Sequence, residues 1–193
     1  MAETSAGGDP VLGDRVMSAR ELHRTVQRLA SEIVERLGDP SAYVLVGVVR
    51  GGWLLCQRLA DAIAALEGVR PAVGSLDITL YRDDLYTGIE KPVLGATRLP
   101  FELDGKGIVL VDDVLFTGRT VRAALDELMD YGRPRFIQLA VLIDRGHREL
   151  PIAADYIGRR LDTAKTDRVV MSLREEGAAE DGVRRVAADG GRA

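Results

Sequence analysis

Two adjacent carboxylates, Asp112 and Asp113, follow the unbroken apolar run Ile108-Val109-Leu110-Val111 and lead at once into Val114-Leu115-Phe116-Thr117-Gly118-Arg119-Thr120. Paired carboxylates accept hydrogen bonds from a diol. The β-branched run, introduced by Asp104-Gly105-Lys106-Gly107, has the pattern of a strand buried on both faces of a parallel sheet. Its carboxyl end is where open α/β sheets bind ligands. The glycine-bearing turn opens an amphipathic segment, 121–129, that predicts a helix, and a helix N-terminus offers free N–H groups and a positive dipole end to a phosphate. Carboxylates beside a phosphate cradle suit a phosphorylated sugar. Residue types alone leave two plainer readings open: a Mg2+ site of a receiver domain, or a solvated strand end.

Two further stretches carry the same strand-then-polar-turn pattern. Tyr43-Val44-Leu45-Val46-Gly47-Val48-Val49 predicts a buried strand, and Arg50-Gly51-Gly52 follows it before an apolar helix over 53–66. Glycines there let backbone approach an anion without a Cβ in the way, although a plain strand-to-helix turn has the same appearance. Residues 136–143 predict another strand, which ends in Asp144-Arg145-Gly146-His147-Arg148-Glu149-Leu150-Pro151-Ile152. No nucleophile stands beside His147 in this run, so a general-base role has little behind it.

The elements that must position these turns are legible in order. Residues 1–14 are rich in Gly, Ala and Ser without periodicity and read as a tail. Ser18-Ala19-Arg20-Glu21 fits a capping box, and Leu22, Val26, Leu29, Ile33 and Leu37 then recur on one helical face. The outer side of that helix carries Arg20, His23, Arg24 and Arg28. Residues 72–78 predict a strand, 79–88 a polar hairpin with Arg82, and 93–99 its returning arm. Short strands are expected over 154–158 and 169–173, with Val183-Arg184-Arg185-Val186 as a last edge strand. One domain over 15–186 is expected, with a second tail at 187–193.

Composition excludes several classes. The 193 residues are 46% apolar with a net charge of −4, which argues against a wholly electrostatic nucleic-acid binder but leaves room for a local basic face. The single cysteine, Cys56, lies in an apolar run and reads as a buried thiol, so no disulfide framework exists. No signal pattern or membrane-length apolar run is present, and a cytoplasmic protein without membrane contact is expected.

The run 109–121, in the form Asp-Asp-Val-Leu-Phe-Thr-Gly-Arg-Thr, resembles the phosphoribosyl pyrophosphate (PRPP) motif of the type I phosphoribosyltransferases. It is most similar to the branch of bifunctional pyrimidine-operon attenuation regulators and uracil phosphoribosyltransferases, and Leu-Asp-Ile-Thr-Leu-Tyr-Arg-Asp-Asp-Leu and Asp-Arg-Gly-His-Arg-Glu-Leu-Pro-Ile extend the similarity. The resemblance implies an α/β fold with a central, mostly parallel sheet flanked by helices and a small hood from the hairpin and terminal segments. It implies a pentosyltransferase that makes UMP and pyrophosphate from uracil and PRPP. Asp112 and Asp113 would hold ribose hydroxyls, the amides around Phe116, Thr117, Gly118, Arg119 and Thr120 the 5′-phosphate, and Val114 and Leu115 would also line the substrate. Arg50, Gly51 and Gly52 would face pyrophosphate, joined by Arg82 when the hairpin closes, and Asp144 and Arg145 would face the base. Mg2+ would be held mainly by PRPP oxygens. The resemblance also implies UMP-dependent binding of pyrimidine-operon leader mRNA, with Ser18, Arg20, His23, Arg24, Arg145, His147, Arg148, Arg160, Lys165 and Arg168 as candidate contacts, and a homodimer or larger homo-oligomer. An enzyme without RNA binding, or one acting on a purine or orotate, stays as the alternative.

Overall fold

The computed structural model describes residues 13–78 and 97–188, in two compact units, Arg24–Thr163 and Met1–His23 with Ala164–Ala193. Arg82 and most of the expected hairpin fall outside the described residues.

In the larger unit five strands form one parallel sheet. They are β2 (Tyr43–Val48), β3 (Ala72–Leu76), β4 (Gly107–Leu115), β5 (Phe136–Asp144) and β6 (Tyr156–Arg160), in the order β3-β2-β4-β5-β6. An antiparallel bridge from Ser75 to Arg98 adds the only described part of the returning arm. Every residue of β2 is buried, as the continuous apolar run requires of a strand covered on both faces. Helix α2 (Gly51–Glu67) covers one face and α3 (Arg119–Tyr131) the other. Val44, Val46, Ile108 and Leu110 pack with Val121, Ala124 and Leu128 of α3. Truncating Ile108, Leu110 or Leu128 to alanine costs about 2–5 kcal/mol.

Helix α1 (Ala19–Leu37) starts at the expected capping box: the Ser18 N–H donates to Glu21 Oε2 (2.9 Å) and the Glu21 N–H to Ser18 Oγ (3.4 Å). Further along, Arg28 Nη2 donates to the Ile157 and Gly158 carbonyls (3.1 and 2.6 Å), tying α1 to β6.

The terminal unit corrects two expectations. Strand β1 (Asp14–Ser18) begins inside the stretch read as a tail, and β8 (Gly182–Val186) lies between β1 and β7 (Arg168–Ser172) in an antiparallel sheet. The segment read as an edge strand is therefore the central one.

Candidate active site

In a parallel sheet all carboxyl ends share one edge, so the turns after β2, β4 and β5 converge there. Chain order runs outward from β2 to β3 and then resumes on the other side at β4. The switch point, where doubly wound sheets bind ligands, is thus between β2 and β4. It is flanked by Arg50-Gly51-Gly52 on one side and by Asp112 to Thr120 on the other.

The two turns are in direct contact. A Cβ on Gly52 would stand 2.5 Å from the Val111 carbonyl oxygen and 3.0 Å from the Asp112 Cα, while one on Gly47 would meet the Trp53 Cα at 2.6 Å. Gly52 therefore lets the first turn of α2 dock on β4 beside the acidic pair, a role the sequence reading gave instead to anion approach. The Val49–Arg50 peptide just before it is cis.

Helices α2 and α3 begin without a side-chain N-cap, at Arg50 and at Gly118, in contrast to α1 with its capping box. Their first-turn N–H groups face the carboxyl edge and suit an anion. Gly118 has φ +93°, a conformation that L side chains rarely adopt.

Asp112 is buried and Asp113 half-buried. Each is oriented by the backbone of the next residue: the Asp113 N–H donates to Asp112 Oδ1 (3.0 Å) and the Val114 N–H to Asp113 Oδ1 (2.9 Å). Both lie within β4, so their side chains leave on opposite faces of the sheet. That divergence disfavours a shared metal, and no group of three or more metal-ligating side chains exists among the described residues. Hard oxygen donors with water fit Mg2+ held largely by a substrate's own oxygens.

The turn after β5 packs against the turn from Phe116 to Thr120. Arg145 is buried, with its guanidinium carbon 4.1 Å from the Phe116 ring centre and Nε donating to Thr163 Oγ1 (3.2 Å). His147, at φ +60°, approaches Phe116 edge-on at 5.8 Å, and its Nε2 is 2.7 Å from the Thr163 carbonyl. That contact makes Nε2 a donor and leaves it unsuited to accept a substrate proton. Arg119 pairs with Glu149 (3.1 Å). The Phe116–Arg145 stack and the Glu149 pairing were missed by sequence reasoning, because each joins residues about 30 positions apart.

The remaining RNA-contact candidates fall in both units. Ser18, Arg20, His23, Lys165 and Arg168 belong to the terminal unit, and Arg24, Arg145, His147, Arg148 and Arg160 to the sheet unit. Arg20, His23, Arg24, His147, Arg160, Lys165 and Arg168 are exposed. Arg148 is bound inward, to Asp144 Oδ1 and to backbone carbonyls. No described helix is long and apolar enough to cross a membrane.

Comparison with known proteins agrees with this geometry. The phosphoribosyl transferase domain profile matches residues 14–175. The chain belongs to the phosphoribosyltransferase family and is of the pentosyltransferase class. Its curated relatives narrow the branch. A protein of Herpetosiphon aurantiacus named Bifunctional protein PyrR is 54% identical over 169 residues, covering 88% of this chain and 94% of the relative. One of the same name from Deinococcus radiodurans is 52% identical over 160 residues, covering 83% and 87%. Among solved structures, a hypoxanthine phosphoribosyltransferase of Staphylococcus aureus superposes with TM-score 0.68 at 16% identity, covering 91% of this chain and 93% of that one. A hypoxanthine-guanine phosphoribosyltransferase of Bacillus anthracis gives 0.69 at 17% identity, covering 92% and 100%. These two share the fold.

Proposed function

We propose that this protein transfers the phosphoribosyl group of PRPP to uracil and also binds pyrimidine-operon leader mRNA in a UMP-dependent manner. The observation that carries the enzymatic half is the docking of the Arg50-Gly51-Gly52 turn directly on β4 at Asp112, which puts an anion-binding turn on each side of a carboxylate pair. The regulatory half rests on relatives named Bifunctional protein PyrR, about half identical over most of the chain.

In this reading the first-turn amides of α3 and the turn from Phe116 to Thr120 bind the 5′-phosphate. Asp113, the more exposed of the pair, accepts hydrogen bonds from the ribose hydroxyls, and both carboxylates stabilise positive charge developing at the anomeric carbon. Arg50 and the Gly51 and Gly52 amides hold the departing pyrophosphate, with Arg82 completing that charge. Asp144 and Arg145 stand on the base side. With both ends of the sugar fixed, the C–O bond to pyrophosphate breaks as the bond to uracil N1 forms, and the N1 proton leaves to water. Bound Mg2+ would neutralise pyrophosphate charge. A cytoplasmic homodimer or larger homo-oligomer completes the reading.

The test is calorimetric titration with a pyrimidine-leader RNA hairpin, with and without UMP. Tight binding strengthened by UMP is expected, because linkage requires each ligand to favour the other. Absence of RNA binding in both conditions would reduce the function to the enzyme alone.

A further inference from the structure

Three consecutive carbonyls of the phosphate turn are anchored by the segment that follows β5. The Leu115 carbonyl accepts from the Arg145 N–H (3.1 Å) and from Arg148 Nη1 (3.4 Å). The Phe116 carbonyl accepts from Arg148 Nη1 (2.8 Å), and the Thr117 carbonyl from the Glu149 and Leu150 N–H groups (2.9 and 3.2 Å). These peptides are trans, since the cis bond among the described residues is Val49–Arg50. In a planar trans peptide the carbonyl and the following N–H point in opposite directions. Anchoring the three oxygens on the β5 side therefore turns the N–H groups of Phe116, Thr117 and Gly118 the other way.

Two of the three anchors are backbone amides and survive any side-chain change. The middle peptide, Phe116–Thr117, is held by the guanidinium of Arg148. That guanidinium is itself fixed: Nε donates to the Ile152 carbonyl (3.1 Å), Nη1 also to the Gly146 carbonyl (2.9 Å), and Nη2 to Asp144 Oδ1 (2.5 Å). A planar fork serving several carbonyls and a carboxylate at once is geometry that an ammonium cannot copy.

We propose that Arg148 is a positioning residue for phosphoribosyl binding: it braces the Phe116–Thr117 peptide and so aims the Thr117 N–H at the 5′-phosphate. The inference rests on the reading above, in which that turn takes the 5′-phosphate. Arg148 then acts through the turn without touching substrate, and Asp144 acts through Arg148.

The test compares wild-type protein, Arg148→Gln and Arg148→Lys. Ribose 5-phosphate and inorganic pyrophosphate are each titrated in the presence of Mg2+, and KM is measured separately for PRPP and uracil. The brace predicts weaker ribose 5-phosphate binding and a PRPP KM raised on the order of tenfold, with pyrophosphate binding unchanged. A purely structural role would lower kcat by reducing the folded fraction and leave the PRPP KM alone. Arg148→Lys keeps a cation for Asp144, so it provides the folded comparison if Arg148→Gln is unstable, and its PRPP KM is also raised.

RNA binding adds an independent readout. Loss of a direct phosphate contact lowers the salt slope of binding by about 1; the brace predicts an unchanged slope. Equal ribose 5-phosphate affinity in wild-type and variants, or a PRPP KM unchanged while the salt slope falls, overturns the proposal. Failure of the wild-type protein itself to bind ribose 5-phosphate would overturn the underlying reading and the brace with it.

Discussion

Replacing Gly52 by alanine tests whether the contact between α2 and β4 builds the site. The added Cβ would stand 2.5 Å from the Val111 carbonyl oxygen and 3.0 Å from the Asp112 Cα, where ordinary contact begins at 3.4 Å. Both neighbours are backbone of a central strand, so neither rotates away. The start of α2 must retreat by about 1 Å, an overpacking cost of about 1–3 kcal/mol. For a chain of this size that lowers Tm by about 2–12 °C. The retreat also widens the gap between the Arg50 turn and Asp112, and a misplacement of about 1 Å costs on the order of a hundredfold in rate. Gly38→Ala is the matched control: Gly38 has φ +70° and, among the described residues, no packing neighbour within 4 Å of the added Cβ. It should lose about 1–2 kcal/mol through backbone strain while each folded molecule keeps full activity. Thermal denaturation and initial rates of UMP formation read both effects. Wild-type Tm and rate in Gly52→Ala would refute the reasoning.

The Tyr43 hydroxyl is buried and has no hydrogen-bond partner among the described residues, and burial, aided by Tyr156, Glu67 and Asp39, pushes its pKa from 10.0 up to about 12. The folded state thus holds this proton longer than the unfolded one: the stabilisation is complete below pH 10 and is lost as pH rises towards about 12. Tyr43→Phe should leave stability at pH 7 unchanged or slightly raised, and Tm measured from pH 9 to 11.5 should fall less steeply than in wild type. Tyr156, also raised by burial, keeps some of that slope. Cys56 is fully buried and burial pushes its thiol pKa up, so iodoacetamide should label it at the rate of unfolding, with no fast phase in native protein. Asp113→Asn retains an oxygen for the Val114 N–H, and should keep its Tm while losing on the order of 10²–10³ in kcat.

The acidic pair and its turn were legible because strand, carboxylates and glycine follow one another in a single local run. The start of α1 was legible for the same reason, since Ser18 and Glu21 satisfy each other's backbone. What escaped depends on partners distant in sequence. Val183 to Val186 reads as an edge strand until Asp14 to Ser18 pairs with it, and five residues at the end of a Gly- and Ala-rich stretch give too short an alternation to mark a strand. Gly52 shows the limit differently. Its need for a missing Cβ is visible in the sequence, but the oxygen it makes room for belongs to Val111, not to an anion. Arg148 reads as one more surface cation until its carbonyl partners around Phe116 and Ile152 are in place.

The most direct test of the account is the initial rate of nucleotide formation from PRPP and Mg2+ with uracil, hypoxanthine, guanine and orotate side by side, for wild-type protein and Asp113→Asn. The account predicts UMP formation with uracil alone, nearly abolished in the folded variant. Turnover of a purine or orotate in preference to uracil, or full activity in Asp113→Asn, would contradict it.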